Sequence, residues 1–274
     1  MSRRDDYPAG VPCFVDTLTA DVDAAKTFYG GIFGWEFAGP GAMPDDPPGQ
    51  YFIARVDGDD VAGFGTLPAG SERDAPSAWT THVSVESADD AAARAAAAGG
   101  TLLVEPFDVP PAGRMAVIAD PAGAVLGVWE AGQRVGAARV NEPSAWAMSL
   151  LTTPDPDGAR TFYGELFGWE AEEFGPSIWL FRRPGYVGGE PEQPVPRDVV
   201  AAMTAADPSG LAGGMPPAWS VDFWIADADA AAGAASGLGG SVVAEPFQDA
   251  NFRRAVLAAP DGATFSVSQL QLTR

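Results

Sequence analysis

Histidine and cysteine are nearly missing from this 274-residue chain, which has one of each, His82 and Cys13. A single cysteine excludes an intramolecular disulfide and any cysteine-built zinc cage. Basic residues are scarce too, 16 against 37 acidic ones, for a formal net charge of -21. Phosphate backbones are gripped by stripes of Lys and Arg, so nucleic acid is not an expected partner. An anionic membrane surface is disfavoured for the same reason. The acidity itself reads as a solubility device. The Arg3-Arg4 pair has no apolar stretch behind it, unlike a signal peptide. No apolar run approaches the length that spans a bilayer. The expectation is a soluble cytoplasmic protein. Abundant Ala, Gly and Pro with few Lys suggest a GC-rich, actinobacterial type of genome, which says nothing of function.

What the chain does have is repetition. Thr27-Phe28-Tyr29-Gly30 and Phe33-Gly34-Trp35-Glu36 recur as Thr161-Phe162-Tyr163-Gly164 and Phe167-Gly168-Trp169-Glu170, offset by 134. A repeat this long is a duplicated domain, not a solenoid unit. The expected domains are 1–134 and 135–274, joined by a linker from Ala131 to Glu142. A finer repeat lies inside each half. Ala78-Trp79-Thr80, Gly99-Gly100 and Glu105-Pro106-Phe107 return as Ala218-Trp219-Ser220, Gly239-Gly240 and Glu245-Pro246-Phe247, now offset by 140. The drift from 134 to 140 places an insertion in the third of four units, which run roughly 10–70, 76–132, 143–214 and 216–272.

Each unit opens with an alternating strand, such as Cys13 to Leu18, followed by a helix with an acidic first turn, such as Asp21 onward. The first helix should stop at Gly30-Gly31, and Gly99-Gly100 should close the second. Three β-rich segments follow; in the second unit Asp120-Pro121-Ala122-Gly123 is the turn between the last two. The expected class is α+β: four tandem βαβββ units, paired into two domains whose curved mixed sheets each surround a cup. The stretch 182–217, rich in Gly and Pro, reads as either a lid or a disordered loop. Val199 to Met203 within it still looks like a strand.

Strand, Asp-x-x-x-Ala-x-x-Phe-Tyr, Phe-Gly-Trp, Gly-Gly and Asp-Pro-x-Gly together resemble the vicinal oxygen chelate superfamily, which includes glyoxalase I, bleomycin-resistance proteins and extradiol dioxygenases. The resemblance covers nearly the whole chain. Its tandem form is similar to actinobacterial glyoxalase-like or hydroxylase-like proteins related to the mycobacterial 27-kDa antigen. The resemblance implies a divalent metal in each cup, held by His, Gln or Glu from the first and last strands of paired units. Those places fall on Phe14, Thr80, Gly127 and the 63–65 stretch in the first half, and on Met148, Ser220, Ser266 and the 201–203 stretch in the second. None is a good ligand, so no metal and no cofactor is expected. A shifted set of His82, Asp16 and Glu130 is conceivable in the first half, but its counterparts Asp222, Leu150 and Gln269 would bind poorly.

The expected function is to hold a small, largely apolar or aromatic metabolite without metal. The purpose would be sequestration, as in resistance, or a specialised-metabolism step. His82, Asp16 and Asp222 are the candidate acid/base groups. Phe14, Thr80, Met148, Ser220 and Trp224 are candidate ligand-binding walls. Arg114 and Arg253 would hold an anionic or carbonyl group, or else pair structurally with a carboxylate such as Asp120. The alternative is a metal-dependent, glyoxalase-like lyase, or a dioxygenase or hydroxylase. A monomer is expected, because pairing within each half leaves no unit without a partner.

Overall fold

The computed structural model describes residues 3–43, 49–68, 77–188, 197–206 and 216–271. The first half runs β1 (Pro12–Thr19), α1 (Val22–Phe33), β2 (Glu36–Ala42), β3 (Gln50–Val56), β4 (Asp59–Thr66), β5 (Trp79–Ser84), α2 (Ala88–Ala97), β6 (Thr101–Val109), β7 (Gly113–Ala119) and β8 (Val125–Ala131). The second half repeats it: β9 (Trp146–Thr153), α3 (Pro156–Phe167), β10 (Glu170–Gly175), β11 (Ile178–Arg182), β12 (Val199–Ala205), β13 (Ala218–Trp224), α4 (Ala228–Ala235), β14 (Ser241–Asp249), β15 (Phe252–Ala258) and β16 (Thr264–Leu270). Four βαβββ units make two eight-stranded mixed sheets, ordered β2-β3-β4-β1-β5-β8-β7-β6 and β10-β11-β12-β9-β13-β16-β15-β14. The protein is α+β, with open sheets rather than closed barrels. Within 182–217, β12 is the expected strand, while 189–196 and 207–215, about half of the stretch read as a lid or a disordered loop, lie outside the described residues.

Each helix start is set by a side chain. Asp21 and Asp155 accept the Ala24 and Gly158 backbone N–H groups at 2.9 and 3.0 Å, which satisfies donors that the first turn leaves unpaired. The first helix does not stop at Gly30-Gly31; it continues to Phe33 and ends on Gly34, whose φ of 72° favours glycine. Gly31 serves packing instead, since a Cβ there would collide with Leu238 of the other half. No helix among the described residues is long and apolar enough to cross a membrane.

The two sheets stand back to back, with β5 directly against β13 and the helices packed around this central contact. Phe33 packs on Phe223 with ring centroids 5.1 Å apart, and Phe28 meets Phe265 at 6.1 Å. Thr81 and Ser149 share a buried hydrogen bond of 2.6 Å across the seam. Trp35 donates to the Ser144 carbonyl and Trp169 to that of Gly10, so both Phe-Gly-Trp motifs pin one half to the other. Trp35, Trp79, Trp169 and Trp219 are all core residues. Because the helix-bearing faces meet, the bare faces of the two sheets look away from each other. These bare faces are the two cups.

Candidate functional site

Alternation along β1 turns Cys13, Val15 and Thr17 into the core, all nearly fully buried, and turns Phe14, Asp16 and Leu18 onto the bare face. On β5 the same rule brings Thr80, His82 and Ser84 to that face. The register sets Asp16 beside Thr80 on β5 and Gly63 on β4, and sets His82 beside Phe14 on β1 and Gly127 on β8. Asp16 and His82 are therefore equivalent positions in two paired units, and so are Gly63 and Gly127. Burial pushes the Cys13 thiol far above its ordinary range, and it takes no part in the cup.

Asp16 is the hub of a three-residue cluster. His82 Nε2 lies 2.9 Å from Asp16 Oδ1, and the Tyr51 hydroxyl donates to Asp16 Oδ2 at 2.7 Å. Tyr51 comes from β3, which pairs it with Gly65. The glycines make room for this cluster. A Cβ on Gly63 would strike the Tyr51 ring, and one on Gly127 would strike the His82 imidazole. Burial, then the neighbouring Asp16 charge, push the Tyr51 hydroxyl well above its usual range, so it stays a protonated donor. The other imidazole nitrogen, His82 Nδ1, is buried against Gly127 without a partner. His82 thus reaches the cup only through Asp16. The Asp16 side chain keeps 14% of its surface exposed against 5% for His82, so the carboxylate is the polar group that a bound molecule would meet.

Around this hub the wall is apolar: Phe14 and Leu18 on β1, Met115 on β7, Phe107 on β6 and Trp129 on β8. The register carries Phe107, Met115, Trp129 and Ser84 in one row across four strands. The linker closes one side. Trp129 Nε1 donates to the Arg134 carbonyl at 2.8 Å, and the Arg134 guanidinium pairs with Asp60. Sequence reasoning missed Tyr51, Met115, Trp129 and Arg134, which belong to no motif.

These residues do not fit a resident metal. The hub offers two conventional ligands, Asp16 and His82, and they are bonded to each other. The flanking positions are Gly63 and Gly127, which have no donor side chain. Glu130 faces the other way, where its Oε2 accepts the Ala88 N–H at 2.9 Å and caps α2; Gln269 does the same for Ala228 at 3.2 Å. Among the described residues no group of three or more His, Cys, Asp or Glu is arranged to hold an ion.

In the second cup Met148, Leu150, Ser220, Asp222 and Trp224 share the bare face. Asp222 accepts from Ser268 Oγ at 2.7 Å. Burial pushes its carboxyl above the usual range, while the Arg254 charge and the Ser268 bond hold it back. Leu150 and Ile178 stand where the first half has Asp16 and Tyr51, so the hub has no second copy. Arg114 and Arg253 are in neither cup. They lie on the helix-bearing side, Arg114 bonded to Asp89 and Asp108, and Arg253 to Asp229. These hydrogen bonds lower the Asp89 and Asp229 carboxyls. Asp120, suggested as the arginine's partner, is buried and binds Tyr163 instead. On β15 the arginine that faces the cup is Arg254, one residue later, and alternation reverses the two.

A family model described as the Glyoxalase/Bleomycin resistance protein/Dioxygenase superfamily matches residues 14–128, and a Glyoxalase-like domain model matches 148–268. The Mycobacterium tuberculosis (strain CDC 1551 / Oshkosh) protein CFP32, whose name classes it with the glyoxylases, is 34% identical over 278 residues, covering 97% of each chain. The anthracycline biosynthesis protein DnrV of Streptomyces peucetius is 31% identical over 97% of this chain and 95% of its own. Among solved structures, the Mn(II)-bound glyoxalase from Novosphingobium aromaticivorans superposes with a TM-score of 0.62 at 17% identity, covering 98% of this chain and 83% of that one. The 2,3-dioxygenase LapB from Pseudomonas sp. KL28 gives 0.63 at 13%, covering 97% and 94%. At such identities these two likenesses are to the fold alone.

Proposed function

We propose that this chain, which belongs to the glyoxalase/bleomycin resistance protein/dioxygenase superfamily, binds a small, largely apolar or aromatic metabolite in its first cup without a resident metal and moves a proton on it through Asp16. The observation that carries the reading is the Asp16–His82–Tyr51 cluster set in a wall of Phe14, Leu18, Met115, Phe107 and Trp129. Drawing a carboxylate out of water is costly, and a passive apolar pocket has no use for one. Two donors hold Asp16 in place. When a ligand presents an acidic C–H or O–H, the carboxylate accepts that proton, and one of the two bonds yields to make room for it. Returning the proton to another carbon or oxygen of the ligand completes an isomerisation; returning it to a β-oxygen that departs as its C–O bond breaks, with the C=C bond formed, completes an elimination. In this scheme His82 and Tyr51 are positioning residues, and Asp16 is the catalytic one. The name of the Streptomyces relative supports a place in specialised metabolism.

Sequestration is the second reading, favoured by the same apolar wall. A metal-dependent lyase or dioxygenase is the third, and the sparse donor set speaks against it. The test is deuterium wash-in from D2O at the acidic C–H of an aromatic ketone such as anthrone, followed by proton NMR on protein purified without chelators. Asp16→Asn should slow the exchange by about a hundredfold or more, the span that a lost general base costs, while quenching of tryptophan fluorescence by the same ketone changes little. Equal exchange in the variant sinks the role of Asp16. Tight quenching with no exchange leaves sequestration, and about one bound ion per chain returns the lyase or dioxygenase reading.

A further inference from the structure

The row that runs Phe107, Met115, Trp129 and Ser84 in the first cup runs Phe247, Arg254, Ser268 and Trp224 in the second. A methionine has become an arginine, and the aromatic ring has moved one strand along. The framework does not require an arginine there, since the duplicate does without one. We infer that the second cup is a separate binding site for a planar aromatic carboxylate, with Arg254 holding the carboxylate and Trp224 and Phe252 forming the aromatic wall its ring lies against.

The hydrogen bonding of Arg254 points to a missing acceptor. Its Nη1 pairs with Asp249 at 3.1 Å, a rim contact whose carboxylate is half exposed and therefore weak. Its Nε is buried and has no partner. An unpaired buried N–H is costly, and an arriving acceptor recovers that cost. Nε and Nη2 form the side-on edge that meets a carboxylate through two parallel hydrogen bonds. The edge left after Asp249 is the one suited to a planar anion. Trp224 and Phe252 have ring centroids 6.0 Å apart, tilted by 48°, and the Arg254 guanidinium carbon lies 5.4 Å from the Phe252 centroid. Rings at this spacing touch each other and make one continuous aromatic wall, with the guanidinium over its Phe252 end.

The charges are compatible with an anion. Besides Asp249, Asp222 is the acid on this face whose charge Arg254 feels, while Glu172, on the far edge strand, is held by Arg182. Burial raises its carboxyl toward the neutral form and Ser268 already satisfies one oxygen, so it opposes an incoming carboxylate less than an exposed aspartate would. No part of this site overlaps the Asp16 cluster, which lies on the other sheet.

The probe is 2-naphthoate, with the neutral 2-naphthalenemethanol beside it, titrated by calorimetry into the full chain. Arg254→Met installs the first cup's own residue at nearly constant volume. It should weaken 2-naphthoate at least tenfold while changing the alcohol's Kd less than twofold. Asp16→Asn should leave both affinities unchanged. Equal 2-naphthoate affinity in wild type and Arg254→Met overturns the inference. So does loss of binding in Asp16→Asn, which would move the ligand to the first cup, or no measurable heat at millimolar ligand. If Arg254→Met does not fold, Trp224→Ser, again the first cup's residue, should weaken both naphthyl compounds about tenfold, and no change would overturn the site.

Discussion

On their helix-bearing sides the two halves repeat the same bonds. Trp79 donates to Tyr29 at 3.1 Å and Trp219 to Tyr163 at 2.9 Å; Glu130 and Gln269 cap equivalent helices; Asp21 and Asp155 start equivalent ones. On their bare faces the halves diverge: Asp16, Tyr51 and His82 against Leu150, Ile178 and Asp222, and Met115 and Trp129 against Arg254 and Ser268. The difference has a physical reason. The helix-bearing faces pack on each other, so a change in one copy must suit the other. The bare faces answer only to what they hold. The loss of a whole polar cluster from a face that packs on nothing marks that face as one shaped by ligands.

The core also differs between the halves, since the bonded Thr81 and Ser149 correspond to Val221 and Val15, and another such difference gives the largest expected effect. Asp120 is almost fully buried and accepts the backbone N–H groups of Ala122, Gly123 and Ala124 at 3.0, 2.8 and 2.9 Å, plus the Tyr163 hydroxyl of the other half at 2.9 Å. In the second half Ala259 takes its place, and Asp261, two residues on, accepts only Ala263 N–H at 3.2 Å. Asp120→Ala orphans several buried donors at once and should cost about 3 kcal/mol or more. Asp261→Ala should cost under about 1 kcal/mol. Urea unfolding of both variants measures the asymmetry, and equal losses would mean that the seam is symmetric after all.

A smaller effect probes the hub. Gly127 leaves space for the His82 ring, whereas the second half pairs Asp222 with Ser266 at the same place. Gly127→Ser alone should overpack the site, cost about 1–3 kcal/mol and loosen the hub. Combined with His82→Asp, which restores the second half's own pair, it should be far milder than the two single losses summed. Additive losses in this double-mutant cycle would show that the glycine answers to something other than the imidazole.

The framework was legible because it is written twice. Phe28-Tyr29 and Phe162-Tyr163 at a fixed offset disclose a duplication, and Trp79 and Trp219 disclose the halves of each half. That Asp16 and His82 share a face could be read from alternation, since each lies two residues from a family ligand position. Tyr51 could not be found that way. It belongs to a strand without a motif and meets Asp16 through a register that depends on the whole β2–β4 excursion. The role of His82 was equally hidden, because it turns on where Nδ1 points. The end of α1 was misplaced because Gly30-Gly31 looks like a stop, and only Leu238 from the far half explains a glycine inside the helix.

The smallest expected effect separates Arg253 from Arg254. Both are arginines on β15, one residue apart, and sequence spacing favours Arg253 because it matches Arg114 in the first half. Alternation puts Arg253 over α4, where Asp229 takes its Nε and Nη2 at 3.0 and 2.7 Å, on a carboxylate more than half exposed. Arg114 and Asp89 repeat the arrangement at 2.8 and 3.0 Å. Exposed pairs of this kind contribute little to stability. Arg114→Ala and Arg253→Ala should therefore each leave the urea midpoint nearly unchanged, with part of even that small loss screened away at high salt. Neither should shift the affinity of 2-naphthoate, in contrast to Arg254→Met. Calorimetry and urea melts on all three variants decide the matter. If Arg253→Ala weakened the naphthoate, the arginine shared by both halves would be the ligand-holding one, and the divergence of the two bare faces would lose its clearest charged example.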